Sequence, residues 1–227
     1  MSRTFLKNSG KLIGVMIFVA FLCSLSPSHS AHAASLPDPV QDMPLAAQPG
    51  NESIVIAGGC FWGVQAVFQH VKGVKQAVSG YAGGEAESAH YDIVSTGTTG
   101  HAESVQVTYD PSQITLGKIL KVYFSVAHNP TELNYQGPDH GTQYRSAIFY
   151  STPEQKKLAE AYIAQLQQKK AFSNPIVTGL EPLKAFYPAE DYHQDYARLH
   201  PDNPYIAMND LPKVANLEKE LPDLYVK

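Results

Sequence analysis

The sequence predicts an α+β fold, a ferredoxin-like split βαβ sandwich with additional C-terminal helices and an irregular wrapping segment. Three observations carry that prediction. Short β-branched runs alternate with apolar-periodic runs in the order strand, helix, strand, strand, helix, strand. A doubly wound parallel sheet needs helices between all its strands, and the interval between residues 74 and 109 offers none. Hydrophobic residues make up 44% of the 227 residues, enough for an ordinary globular core, with no internal repeat to divide it.

Residues 53–57 (SIVIA) read as the first strand, and Gly58-Gly59 as the turn after it. Val64, Val67, Phe68 and Val71 then fall at helical spacing. Gly73 ends that helix, and residues 74–80 (VKQAVSG) return as a second strand. A loop opens at residues 81–84 (YAGG) and runs to residues 99–103, after which residues 104–109 (SVQVTY) alternate as a third strand closed by Pro111. Leu116, Ile119, Leu120 and Tyr123 share one face of a second helix that closes near Ala127. Residues 128–145 have turn formers but no period, unusual for so long a connection and a mark of function. Residues 146–150 (SAIFY) are a fourth strand. Ser151-Thr152-Pro153-Glu154 opens a helix to about Lys170, and residues 175–182 read as a further strand. Residues 189–199 read as one short polar helix, and the proline-punctuated remainder as a surface wrap.

Three stretches divide the chain. Residues 1–33 carry Arg3, Lys7 and Lys11, then an apolar run over residues 12–25, then Ala31-His32-Ala33; this is the pattern of a secretory signal peptide cleaved near Ala33. The apolar run is too short for a permanent membrane span, and Phe21-Leu22 before Cys23 are too bulky for a lipoprotein signal. Residues 34–52, with four prolines, read as an extended leader, and residues 53–227 as a single catalytic domain. The predicted location is therefore outside the cytoplasm, periplasmic or secreted.

Charge and cysteine count exclude whole classes. The balance of 17 Lys+Arg against 21 Asp+Glu is acidic, and loss of the signal peptide's three basic residues deepens it, which argues against nucleic-acid partners. Cys23 would leave with the signal, and the one remaining cysteine can form no internal disulfide and no multi-cysteine zinc site. His101-Ala102-Glu103 superficially matches the His-x-Glu of zinc deaminases, but the partner Pro-Cys-x-x-Cys is absent, so no metal is expected.

Cys60 lies between the Gly58-Gly59 turn and the first helix. A cysteine in apolar surroundings is more often an inert core residue. Here the glycines would expose the sulfur, Phe61 and Trp62 would wall it, and the helix N-terminus would favour thiolate. A cysteine hydrolase pairing Cys60 with His70, His101, His128, His140 or His193 also fits the residues, as does a non-catalytic module that binds oxidised or Met-rich partners.

Four segments carry a resemblance. Residues 59–63 (GCFWG), 99–103 (TGHAE), 139–146 (DHGTQYRS) and 189–194 (AEDYHQ) appear in that order, and on them the chain resembles the A-type peptide methionine sulfoxide reductases. The resemblance implies thiol-dependent reduction of methionine S-sulfoxide, free or in proteins, through a cysteine sulfenic acid, with Cys60 as nucleophile and Glu103 as the neutral acid that protonates the departing oxygen. It places Tyr91 and Tyr144 as hydrogen-bond donors to the sulfoxide oxygen and Asp139 in orientation. Phe61, Trp62 and Tyr196 become the substrate-binding wall. No cofactor is implied beyond an external thiol reductant, a thioredoxin-fold protein or a small thiol. One departure bears on that donor: residues 200–227 contain none of the C-terminal resolving cysteines many members carry, which makes this a single-catalytic-cysteine form.

Overall fold

The structure, a computed structural model, describes Met1 and residues 35–227. The predicted signal peptide lies outside the described residues. Among them, no helix is long and apolar enough to cross a membrane.

The chain begins its first strand, β1, at Glu52–Ala57 and turns through Gly58-Gly59 into helix α1, Phe61–Gln69. Strand β2 is Val74–Ala82; after a loop holding the one-turn helix α2, Tyr91–Val94, strand β3 follows at Ala102–Tyr109. Helix α3, Leu116–Val122, widens into a π-type turn over Tyr123–Ala127. The long connection after it is ordered by a two-residue-per-strand hairpin, β4 (Tyr135–Gln136) and β5 (Asp139–His140), and by a tight turn at Thr142–Tyr144. Strand β6, Ala147–Tyr150, leads into helix α4, Pro153–Gln168. The Thr152 hydroxyl accepts from Gln155 N–H at 3.2 Å, and Pro153 occupies the first turn, where its missing N–H costs nothing. Strands β7 (Gly179–Pro182) and β8 (Phe186–Pro188) precede helices α5 (Tyr196–Leu199) and α6 (Leu211–Glu220).

The six-stranded sheet has the order β7-β6-β1-β3-β2-β8. Its centre, β6-β1-β3-β2, is antiparallel throughout, with β3 inserted between β1 and β2, which is the split βαβ arrangement. Only β7, on β6, pairs parallel. Period-two alternation sends Ile54 and Ile56 of β1 into the main core beneath the helices, and Val55 and Ala57 into a smaller cluster on the other face with Ala82, Ala147 and Phe149.

Residues 35–50, within the predicted leader, are irregular and docked: Asp38 pairs with Lys118 (2.7 Å) and Lys121 (2.8 Å), and Asp42 accepts from Gly117 N–H (2.9 Å) at the start of α3. Four expectations are corrected. The interval between residues 74 and 109, expected to offer no helix, holds the one-turn α2. The predicted strand over residues 175–182 shortens to β7, and β8 pairs antiparallel with β2 where none was expected. The polar helix over residues 189–199 is broken, because Asp195 takes a left-handed φ of 58° between a tight turn at Asp191–His193 and α5. The supposed surface wrap forms a π-type turn at Ile206–Asp210 running into α6. It covers the outer side of α1, where Ile206 and Ala197 close over Ala66 and Trp62.

Candidate active site

Cys60 is the N-cap residue of α1, and its side chain makes no capping bond. The glycines before it do not expose the sulfur. A Cβ on Gly58 would stand 2.7 Å from the His128 ring, and one on Gly59, at φ +84°, would stand 2.7 Å from Gln136 Cβ. The two glycines thus let the residue 128–136 loop close against the cysteine turn, and Cys60 is left only 8% exposed. It borders a cavity of about 360 Å³ lined also by His128, Gln136, Asp139, Tyr205 and Lys213.

The resting charge of Cys60 reverses the sequence expectation of a thiolate. Burial pushes the thiol well above its ordinary pKa, the carboxyls of Glu103 and Asp210 push it further, and the opposing help from Trp62 N–H and Lys213 is smaller. Cys60 rests as a thiol.

Glu103, on β3, is 2% exposed, and its Oε2 accepts from Phe61 N–H, the first of α1, at 3.0 Å. Burial raises the carboxyl to about 8 despite that bond, with Asp139 and Asp210 adding to the rise. A group with that pKa keeps its proton at pH 7.

Tyr91 on α2 and Tyr144 beside the β5 hairpin strand are half-buried. Burial raises both phenols above their usual range, and the neighbouring acidic groups Glu103, Cys60 and, for Tyr144, Asp139 act in the same direction wherever they ionise. Both remain O–H donors. Asp139 accepts a short hydrogen bond from Tyr205, a residue the sequence reading passed over.

The aromatic residues divide in two. Trp62 is half-buried, stacks on Tyr196 with centroids 4.0 Å apart and planes at 13°, and meets Tyr205 edge-on at 6.1 Å. Its Nε1–H donates to His193 Nδ1 at 3.2 Å. Phe61 is 1% exposed, packed between Tyr81 (5.9 Å) and His193 (5.0 Å), so it is a core anchor beneath that wall. Cys60, Glu103, Tyr91, Tyr144 and Asp139 therefore converge, and Trp62 with Tyr196 forms a neighbouring apolar face.

A Cys–His dyad does not form. Buried His128 has its pKa lowered to about 3, with Nδ1–H donating to Tyr123 O (3.1 Å) and Nε2 accepting from Ser146 Oγ (2.7 Å). His101 accepts from Gly84 N–H (3.2 Å) and donates through Nε2 to Glu85 O (3.0 Å). His70 bonds Ala66 O and stacks on Tyr225, and His140 stacks on Tyr135. Among the described residues, no group of three His, Cys, Asp or Glu could hold a metal ion.

The sequence reading also missed Asp210 and Lys213, both brought by the C-terminal helical segment. A signal was present: Ile206, Asp210, Val214, Leu217 and Leu221 recur at helical spacing, and Pro212 suits a first turn.

Fold and site together define a thiol-dependent oxidoreductase on a split βαβ sandwich. The family profile described as peptide methionine sulfoxide reductase matches residues 52–224, and the chain belongs to that family. It is 63% identical over 179 residues to a peptide methionine sulfoxide reductase MsrA 2 of Mesorhizobium japonicum, covering 79% of this chain and 92% of that one. The corresponding protein of Synechocystis is 50% identical over 190 residues, 83% of this chain and 89% of its own. Among solved structures, reduced Mxr1 of Saccharomyces cerevisiae aligns with a TM-score of 0.62 and 34% identity, over 72% of this chain and 92% of that one. Methionine sulfoxide reductase A of Corynebacterium diphtheriae aligns with a TM-score of 0.58 and 36% identity, over 74% and 84%.

Proposed function

We propose that the protein reduces the S-sulfoxide of methionine, free or within proteins, to methionine, and so repairs oxidised proteins. One observation carries the assignment of roles: a buried thiol at the start of α1 lies beside a buried carboxyl raised to about 8, the acid whose proton a sulfoxide oxygen needs in order to leave. The sulfur of Cys60 attacks the sulfoxide sulfur while Glu103 protonates the oxygen. The sulfur–oxygen bond of the substrate then breaks as oxygen passes to Cys60, and the thiol proton returns to Glu103. The balance is one sulfoxide and one thiol converted to one methionine and one Cys60 sulfenic acid. Tyr91 and Tyr144 donate to the oxygen, Asp139 with Tyr205 orients it, and the Trp62–Tyr196 face takes the methyl group over Phe61.

Two external thiols complete the cycle. The first displaces water from the sulfenic acid to form a mixed disulfide, and the second releases Cys60 as thiol with an oxidised disulfide. A thioredoxin-fold protein or a small dithiol suits this step, because Cys60 is the only cysteine among the described residues. We further infer export, supported by the basic, apolar and small-residue succession in residues 1–33. Expression of the full chain in a bacterial host should yield periplasmic protein whose mass begins at Ala34; cytoplasmic protein of full mass contradicts the export reading.

The reaction is tested with the two separated methionine sulfoxide epimers and dithiothreitol. A pocket that fixes oxygen and methyl presents one sulfur face to Cys60, so the S epimer is consumed and the R epimer is not. Cys60→Ser abolishes turnover while leaving the thermal melt intact. Equal rates for both epimers, or turnover by Cys60→Ser, overturns the assignment.

A further inference from the structure

We propose that the Asp210–Lys213 pair is a positioning device for Cys60: Asp210 opposes the thiolate and anchors the Lys213 ammonium, which supports it. The proposal rests on Cys60 being the nucleophile and assigns the C-terminal helical segment a role in its charge state.

The geometry begins at Gly63, in the first turn of the helix that Cys60 caps. A Cβ there would stand 2.1 Å from Asp210 Oδ1 and 2.7 Å from Lys213 Nζ. Both charged groups are therefore laid against the α1 backbone, one turn from the nucleophile, in space only a glycine leaves. Asp210 is completely buried. Its Oδ1 pairs with Lys213 Nζ at 3.2 Å, while Oδ2 has no partner. A buried carboxylate with half its acceptors unmet is expensive, and Asp210, although the N-cap residue of α6, makes no side-chain capping bond to offset it. Lys213 lines the cavity that Cys60 borders, and its side chain is only 22% exposed, so its charge is partly shielded from bulk water.

Other groups facing Cys60 fix the sign of the effect. Glu103 on β3 and Asp139 on β5 bring acids, Tyr91, Tyr144 and Tyr205 bring neutral phenols, and His128 is neutral. With Glu103 protonated, Asp210 is the remaining carboxyl that raises the Cys60 thiol and Lys213 the cation that lowers it; burial also raises the Asp210 carboxyl, and Lys213 opposes that rise. Burial and Asp210 hold the resting sulfur as a thiol, slow to react with stray electrophiles, while Lys213 supplies a cation for the anion that attack requires.

The test reads the rate at which iodoacetamide alkylates Cys60 in the full chain, quantified on the Cys60 peptide by mass spectrometry from pH 6 to 10. Asp210→Asn removes the carboxylate and leaves the ammonium, so alkylation at pH 7 rises by about tenfold, one pKa unit of thiolate population. Adding Lys213→Met in that background removes the cation with no buried carboxylate left to take up a proton, and the rate falls back by about the same factor. Opposite responses to the two partners of one ion pair are not produced by simple loosening of the helix. If Asp210→Asn does not fold, Asp210→Ser carries the same expectation. A folded carboxylate-free variant with an unchanged or slower rate overturns the proposal, as does a double variant as fast as the single one. The assay contains no sulfoxide, so its failure leaves the reductase reading standing, and failure of the epimer test leaves the alkylation result interpretable.

Discussion

Burial holds the Glu103 carboxyl near 8, so across neutral pH it carries a proton that an exposed glutamate has lost. As the proton donor to the leaving oxygen, Glu103 supports single-turnover reduction below about pH 8, and the rate declines as pH rises through that value. Glu103→Gln keeps an acceptor for Phe61 N–H but has no proton to give, and lowers the single-turnover rate by about 10²-fold or more. An unchanged rate at pH 7 removes Glu103 from the role. Stability falls with rising pH in the same direction. A glutamate raised from 4.5 to about 8 on folding contributes stability fully present below pH 4.5 and lost progressively up to about pH 8, because over that window the folded chain binds a proton the unfolded chain has released. Glu103→Gln is therefore more stable than the parent at pH 7, by about 3 kcal/mol at the upper limit, and the difference closes below pH 4.5. Urea melts of both proteins at pH 4 and pH 7 measure it. At this scale the sequence was informative where chemistry and motif coincided, at Cys60 and Glu103. It misjudged the sulfur's charge because helix-terminus reasoning sees a dipole but not the burial of the thiol, nor the carboxyls that folding places beside it.

Elements were legible in proportion to how far their pattern is local. The strand–helix–strand–strand–helix–strand order emerged from period alone, as did the Thr152 cap of α4. The β8 strand did not, because three residues ending in Pro188 have no period to detect and their pairing with Gly80, Tyr81 and Ala82 is wholly tertiary. The C-terminal helix was masked by its prolines, although Pro212 lies in a first turn. Its need was written in α1, whose Trp62 and Ala66 are apolar on the side facing away from the sheet and require a cover. The turn joining β1 to α1 has its own consequence. Gly59 combines a φ of +84° with a neighbour, Gln136, already where a methyl would go. Gly59→Ala must strain the backbone and push out the hairpin loop that closes over Cys60, at a cost of about 1–3 kcal/mol. A lowered urea midpoint with faster Cys60 alkylation is the expected pair of results. A normal midpoint would mean the loop is not held by this contact.

At the scale of the molecule, the described residues enclose the nucleophile and bring no second cysteine to it. Cys60 is covered by the residue 128–136 loop on one side and by the segment running through Tyr205 to α6 on another, and it is the only cysteine among the described residues. One turnover therefore leaves a sulfenic acid that no neighbour within the folded unit can resolve, and water cannot reduce it. The proper protein for the test is the Cys23→Ser chain, which removes the remaining cysteine of the sequence. Mixed with excess S-sulfoxide and no reductant, it should release one methionine per chain, lose its titratable thiol, and gain the mass of one oxygen that a dimedone-type reagent captures. Addition of dithiothreitol should then restore turnover. A disulfide-linked dimer as the main product would mean that two chains bring their sulfurs together despite the enclosure, and repeated turnover without reductant would mean that oxygen leaves Cys60 by a route this fold does not supply.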